Sequence, residues 1–92
     1  MSFTLVFTES YNRRAAKWLR KHPDLRGMYL KTLQLLELNP FHPSLRLHAL
    51  QGRLAGIYSI SINLSYRITI DLLISEREII LLNVGDHDAV YG

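Results

Sequence analysis

From Tyr58 to Leu72 the side chains alternate for fifteen residues, and no other stretch constrains the fold as much. Tyr58, Ile60, Ile62, Leu64, Tyr66, Ile68, Ile70 and Leu72 take the even positions, and Ser59, Ser61, Asn63, Ser65, Arg67, Thr69 and Asp71 take the odd ones. A period of two sends one set to a core face and the other to solvent. The apolar set has the β-branched and aromatic residues that suit a pleated surface. A turn centred on Leu64 would place Ser61 opposite Arg67 and Ser59 opposite Thr69. Parity alone puts these side chains on one face.

The flanking sequence supplies the partners such a hairpin needs. Phe3 to Phe7 reads as a short strand. Thr8 is a plausible N-cap, followed by Tyr11, Ala15, Trp18 and Leu19 at helical spacing. Trp18 lies on that apolar stripe, which makes it core rather than a base-stacking platform. Pro23 ends the helix by restricting His22. Asp24 is expected to cap a second helix marked by Leu25, Tyr29, Leu33 and Leu36, which stops at Asn39-Pro40. The short link predicts an antiparallel helical hairpin. Phe41–Leu47 reads as a crossing loop, with His42 incidental. Gly52 and Gly56 mark a bend, with Arg53 on the incoming strand. After the hairpin, Ser75-Glu76-Arg77 turns into Glu78–Val84, apolar on both faces and therefore central. The order β-α-α-β-β-β predicts an α+β domain over residues 1–92, with the helical hairpin packed on a mainly antiparallel sheet.

The chain has no cysteine, which excludes disulfides and thiolate metal sites. No apolar run approaches the ~20 residues that cross a bilayer. The N-terminus lacks a signal peptide's apolar core, so a cytoplasmic protein without membrane partners is expected. Charge is split: residues 1–53 hold nine Lys/Arg against three acids, and residues 54–92 hold two against five. The basic part includes Arg13, Arg14, Lys17 and Arg20 on one helix. It points to nucleic acid or an acidic protein, or to a solvated cationic face.

Arg67 on a hydroxyl-rich face can grip a phosphate with its guanidinium fork, or simply pair with Asp71. His87, between Asp86 and Asp88, is a candidate general acid or base, or a solvated tail residue. His48 and His87 have no third ligand at a recognised spacing, so neither metal nor cofactor is expected.

Leu50-Gln51-Gly52-Arg53-Leu54, Tyr58-Ser59-Ile60-Ser61-Ile62, Tyr66-Arg67-Ile68 and Val84-Gly85-Asp86-His87 with Val90-Tyr91 together resemble the RelE/ParE toxin superfamily over nearly the whole chain. The resemblance implies the toxin of a type II toxin–antitoxin system, partnered by an antitoxin with an acidic segment. It implies a ribonuclease acting on mRNA in the ribosomal A site, or alternatively a ParE-like gyrase poison or a relic that mainly binds its antitoxin. By position, Arg67 matches the arginine that steadies the scissile phosphate, and His87 a catalytic arginine or histidine. Tyr91 matches the late tyrosine of RelE, and His48 a histidine of the YafQ branch. Arg53, Ser59, Ser61 and the helix cations Arg13, Arg14, Lys17 and Arg20 become candidate RNA contacts. Ser59 and Ser61 stand where RelE has a lysine pair, and Ser61 and Ser65 where the YafQ branch has a histidine and an aspartate. The glutamate of the YoeB branch falls near Ser44.

Overall fold

The alternating run forms an antiparallel hairpin in the register read from its sequence. In the computed structural model, which describes residues 2–91, β3 (Tyr58–Ser61) pairs with β4 (Arg67–Leu73), placing Ser61 opposite Arg67 and Ser59 opposite Thr69. β1 is Thr4–Phe7, β2 is the two-residue strand His48–Ala49, and β5 is Glu78–Gly85. The sheet order is β1-β5-β4-β3-β2. β5 runs antiparallel to β4 and parallel to β1, and the remaining pairings are antiparallel. The apolar β5 is thus flanked on both sides, as its composition predicts.

The helical hairpin is α1 (Glu9–Lys21) and α2 (Arg26–Leu38). Thr8 caps α1 by accepting from the Tyr11 N–H at 3.2 Å. Asp24 caps nothing: Pro23–Leu25 form a 3₁₀ turn, and α2 begins after it without a side-chain cap. Proline at the first position of that turn lets the chain reverse before Asp24 can serve α2.

The hairpin covers the even face of the sheet. Tyr11, Trp18, Tyr29, Leu33 and Leu36 meet Ile60, Ile68, Ile70, Ile79 and Leu81 in one core. Each fully buried isoleucine contributes roughly 1.5–3 kcal/mol. The hydroxyls of Tyr11 and Tyr29 bond at 2.7 Å inside this layer. Burial first, then the charge and hydrogen bond of Tyr29, hold the Tyr11 phenol far above its ordinary range. Burial likewise raises Tyr29, against a lowering effect of its bond to Tyr11.

The odd face does not meet solvent as the alternation predicts. Ser59, Ser61 and Thr69 are buried. Five residues after β5 form α3 (His87–Tyr91), which packs back onto β4 and β5. A sheet face rich in hydroxyls can be buried when its hydroxyls find partners; Tyr91 of α3 serves Ser59, and Arg67 serves Ser61. The Arg67–Asp71 pairing also fails, because four residues along a strand span about 13 Å. Arg53 lies in a 3₁₀ turn, Gly52–Leu54, rather than on a strand. Gly52 and Gly56, at φ of 67° and 95°, shape that bend.

Candidate functional site at the end of the polar sheet face

Asp86, read from sequence as an acid flanking His87, is the cap that starts α3. Its Oδ1 accepts from the Ala89 N–H at 2.9 Å. The helix is then tied down at three points, two on the sheet and one on the 3₁₀ turn Gly52–Leu54. Asn83 Nδ2 donates to the Ala89 carbonyl at 3.0 Å, Arg53 Nη2 donates to the Tyr91 carbonyl at 2.7 Å, and the Tyr91 hydroxyl meets Ser59 Oγ at 2.6 Å. Gly85 is required where α3 turns back, since a Cβ there would stand 2.7 Å from the Ala89 Cβ.

Cross-strand neighbours arrange the polar face in two rows. His48, Ser59, Thr69 and Asn83 follow one another across β2, β3, β4 and β5. The next row, about 7 Å along the strands, holds Ser61, Arg67 and Gly85. Arg67 Nη1 donates to Ser61 Oγ at 3.2 Å, which aims a partly exposed guanidinium and leaves its other donors available. At the α3 end, the rings of His87 and Tyr91 meet edge to face, 4.4 Å apart. His87 itself is 74% exposed, with Nδ1 3.8 Å from the Asp88 carboxylate.

At the β2 end, His48 Nδ1 lies 3.0 Å from the Arg46 carbonyl. A carbonyl only accepts, so neutral His48 carries its proton on Nδ1 and leaves Nε2 as a base. Arg46 sits in the left-handed region at φ 53°, which turns its carbonyl toward the ring. His42 has the opposite tautomer, because its Nδ1 accepts from the Ser44 N–H and caps the turn Pro43–Leu45.

No family model matches the sequence, and no curated protein does either. Solved structures do match. Similarity to a chain of the E. coli DinJ–YafQ toxin–antitoxin complex covers 100% of both chains at 17% identity, with a TM-score of 0.78. The chain therefore has the RelE-like toxin fold. A YoeB/ParE toxin from Agrobacterium tumefaciens is similar over 92% of this chain and 99% of its own, at 21% identity and a TM-score of 0.72. A RelBE toxin–antitoxin complex from Mycobacterium tuberculosis contains a chain similar at 20% identity, covering 95% and 100%, with a TM-score of 0.63.

Within this RelE-like fold, Arg67, Ser59, Ser61 and His48 lie on the polar sheet face, Tyr91 and His87 on the helix upon it, and Arg53 reaches that helix from its 3₁₀ turn. Ser59 is wholly buried and occupied by Tyr91, so it positions α3 instead of meeting a ligand. The helix cations divide. Arg14 and Lys17 line a cleft at the end of β5, whereas Arg13 and Arg20 are exposed and outside its walls. Sequence reading missed Lys21, His22, Tyr66 and Asn83, which share that cleft. It also missed the cap at Asp86, although an aspartate three residues before Ala89 is a helix-start signal. No three His, Asp or Glu side chains among the described residues gather as a metal would require. No helix among them is long and apolar enough to cross a membrane.

Proposed function

We propose that this chain is the toxin of a type II toxin–antitoxin pair, and that it cuts mRNA in the ribosomal A site. The observation carrying this reading is that Arg67 and His48 lie on one sheet face, with Tyr91 and His87 on the helix packed against it, in a fold similar to that of YafQ-containing and YoeB/ParE proteins. In the reaction, the ribose 2′-oxygen attacks the adjacent phosphorus and the bond to the 5′-oxygen breaks. His48 Nε2 takes the 2′ proton. His87 gives a proton to the leaving 5′-oxygen, and Arg67 offsets the charge that develops on the phosphoryl oxygens. The products are a 2′,3′-cyclic phosphate and a 5′-hydroxyl. An antitoxin bearing an acidic segment would cover the basic surface.

A second reading, a ParE-like gyrase poison, draws on Ser59, which is buried and bonded internally where RelE has a lysine. Primer extension on a translated message, beside a gyrase supercoiling assay with the same protein, separates the two. Cleaved messages and untouched gyrase are expected. Intact messages with gyrase trapped on DNA would replace the nuclease with the gyrase poison.

A further inference from the structure

We propose that the cleft between α1 and α3 is a subsite for one nucleotide of single-stranded RNA beside the cut, an inference that rests on the nuclease reading for its substrate class. The cleft has a volume of about 340 Å³ and runs from α1 across Tyr66 to the last residues of β5 and the start of α3. That places it next to Asp86 and His87, so a strand crossing the polar face would continue into it.

Its walls combine three kinds of group. One is aromatic: the rings of Trp18, His22 and Tyr66 touch one another, with centroids 5.1 Å (Trp18–His22), 5.3 Å (Trp18–Tyr66) and 4.7 Å (His22–Tyr66) apart. The second is cationic. Arg14, Lys17 and Lys21 follow at helical spacing on α1, and all are exposed. Like charges at that spacing repel, and a bound phosphate would relieve them. The third is acidic: Asp86 uses one carboxylate oxygen to cap α3 and keeps the other to accept from a base amino group.

Trp18 adds an independent observation. It is 6% exposed, and its buried indole N–H has no hydrogen-bond partner among the described residues. Buried donors are nearly always paired, yet this residue of the cleft wall carries a donor that no described residue satisfies. Stacking rings joined to cations is the chemistry of single-strand binding, because every base has a π face. An acidic peptide would satisfy the cations but would meet the Asp86 carboxylate and make no use of the rings.

Trp18 is the only tryptophan in the sequence, so its fluorescence reports on this cleft. The intact protein is titrated with a 2′-O-methyl pentanucleotide, which lacks the attacking hydroxyl, and with adenosine monophosphate, inorganic phosphate and hexaglutamate. Saturable quenching by both nucleotide probes is expected. Tyr66→Leu should weaken oligonucleotide binding at least about fivefold, while Tyr66→Phe, which keeps the ring, should bind as wild type. Lys17→Gln with Lys21→Gln should reduce the salt slope by about 1.4 if each neutralises one phosphate. Equal quenching by inorganic phosphate, a response to hexaglutamate alone, or no response to any probe would each overturn the inference. A wild type that cleaves messages without nucleotide quenching sinks the subsite and spares the nuclease. Quenching without cleavage does the reverse.

Discussion

Ser59 and Tyr91, separated by 32 residues of sequence, share a 2.6 Å hydrogen bond that fastens α3 to the sheet. Ser59 is fully buried, so only the protein can satisfy its hydroxyl. Tyr91→Phe should therefore destabilise the fold by about 1–3 kcal/mol, the cost of an orphaned buried group. Ser59→Ala should cost less, because the partly exposed Tyr91 hydroxyl can turn to water. Urea denaturation of both variants measures the asymmetry, and equal losses would mean that the bond does not hold α3.

Gly85 and Ala89 make a second contact at the same joint. Gly85→Ala would set two Cβ atoms 2.7 Å apart, costing about 1–3 kcal/mol as overpacking or pushing α3 away. Adding Ala89→Gly removes the opposing Cβ and should recover part of that loss. A double-mutant cycle read by thermal unfolding checks it; strict additivity would deny the contact.

For the reaction itself, Arg67→Ala and His87→Gln should each reduce mRNA cleavage on ribosomes by at least about a hundredfold. His87 is exposed, so its replacement should leave the denaturation midpoint unchanged. Unaltered cleavage in His87→Gln would move the acid role elsewhere.

The Arg46 carbonyl should hold neutral His48 in its Nδ1–H form. Arg46→Gly accommodates the left-handed backbone and should preserve that tautomer, whereas Arg46→Val should lose it. Nitrogen chemical shifts of the ring, recorded without substrate, report the tautomer directly. The Nε2–H form in wild type would remove His48 as base.

The Tyr11–Tyr29 pair predicts an alkaline limit. Both phenols are raised in the folded state, so above about pH 10 the unfolded chain releases protons that the native chain retains. Stability is then unaffected below pH 10 and falls above it, by up to about 1.4 kcal/mol per pH unit for each proton difference. Denaturation midpoints between pH 8 and 11 should decline more gently in Tyr11→Phe.

The face of the hairpin was legible from parity, because fifteen residues alternate without a break; the register needed in addition a turn at Leu64, which the pairing of Ser61 with Arg67 bears out. The core tryptophan was legible for a similar reason, helical spacing with Tyr11 and Ala15. The burial of Ser59 and Thr69 was not. It depends on α3, whose five residues are too few to show any periodicity, and on Arg53 and Asn83 reaching it from distant turns and strands. β2 escaped notice because two residues carry no pattern. For the candidate site, parity placed Ser61 and Arg67 together, but only the register revealed that His48 stands beside Ser59. The cleft residues His22 and Tyr66 were hidden because each lies at the end of an element, where spacing rules lapse.

The parallel pairing of β1 with β5 also has a consequence in time. Residues 4–7 have no sheet neighbour until residues 78–81 arrive, and α3 follows those. During synthesis, the first strand and the helical hairpin must wait, half-dressed, while most of the chain is still being made. Pairing across such a sequence separation is slow even in a finished chain. The face carrying Arg67 and His87 is therefore completed last, when Tyr91 can reach Ser59.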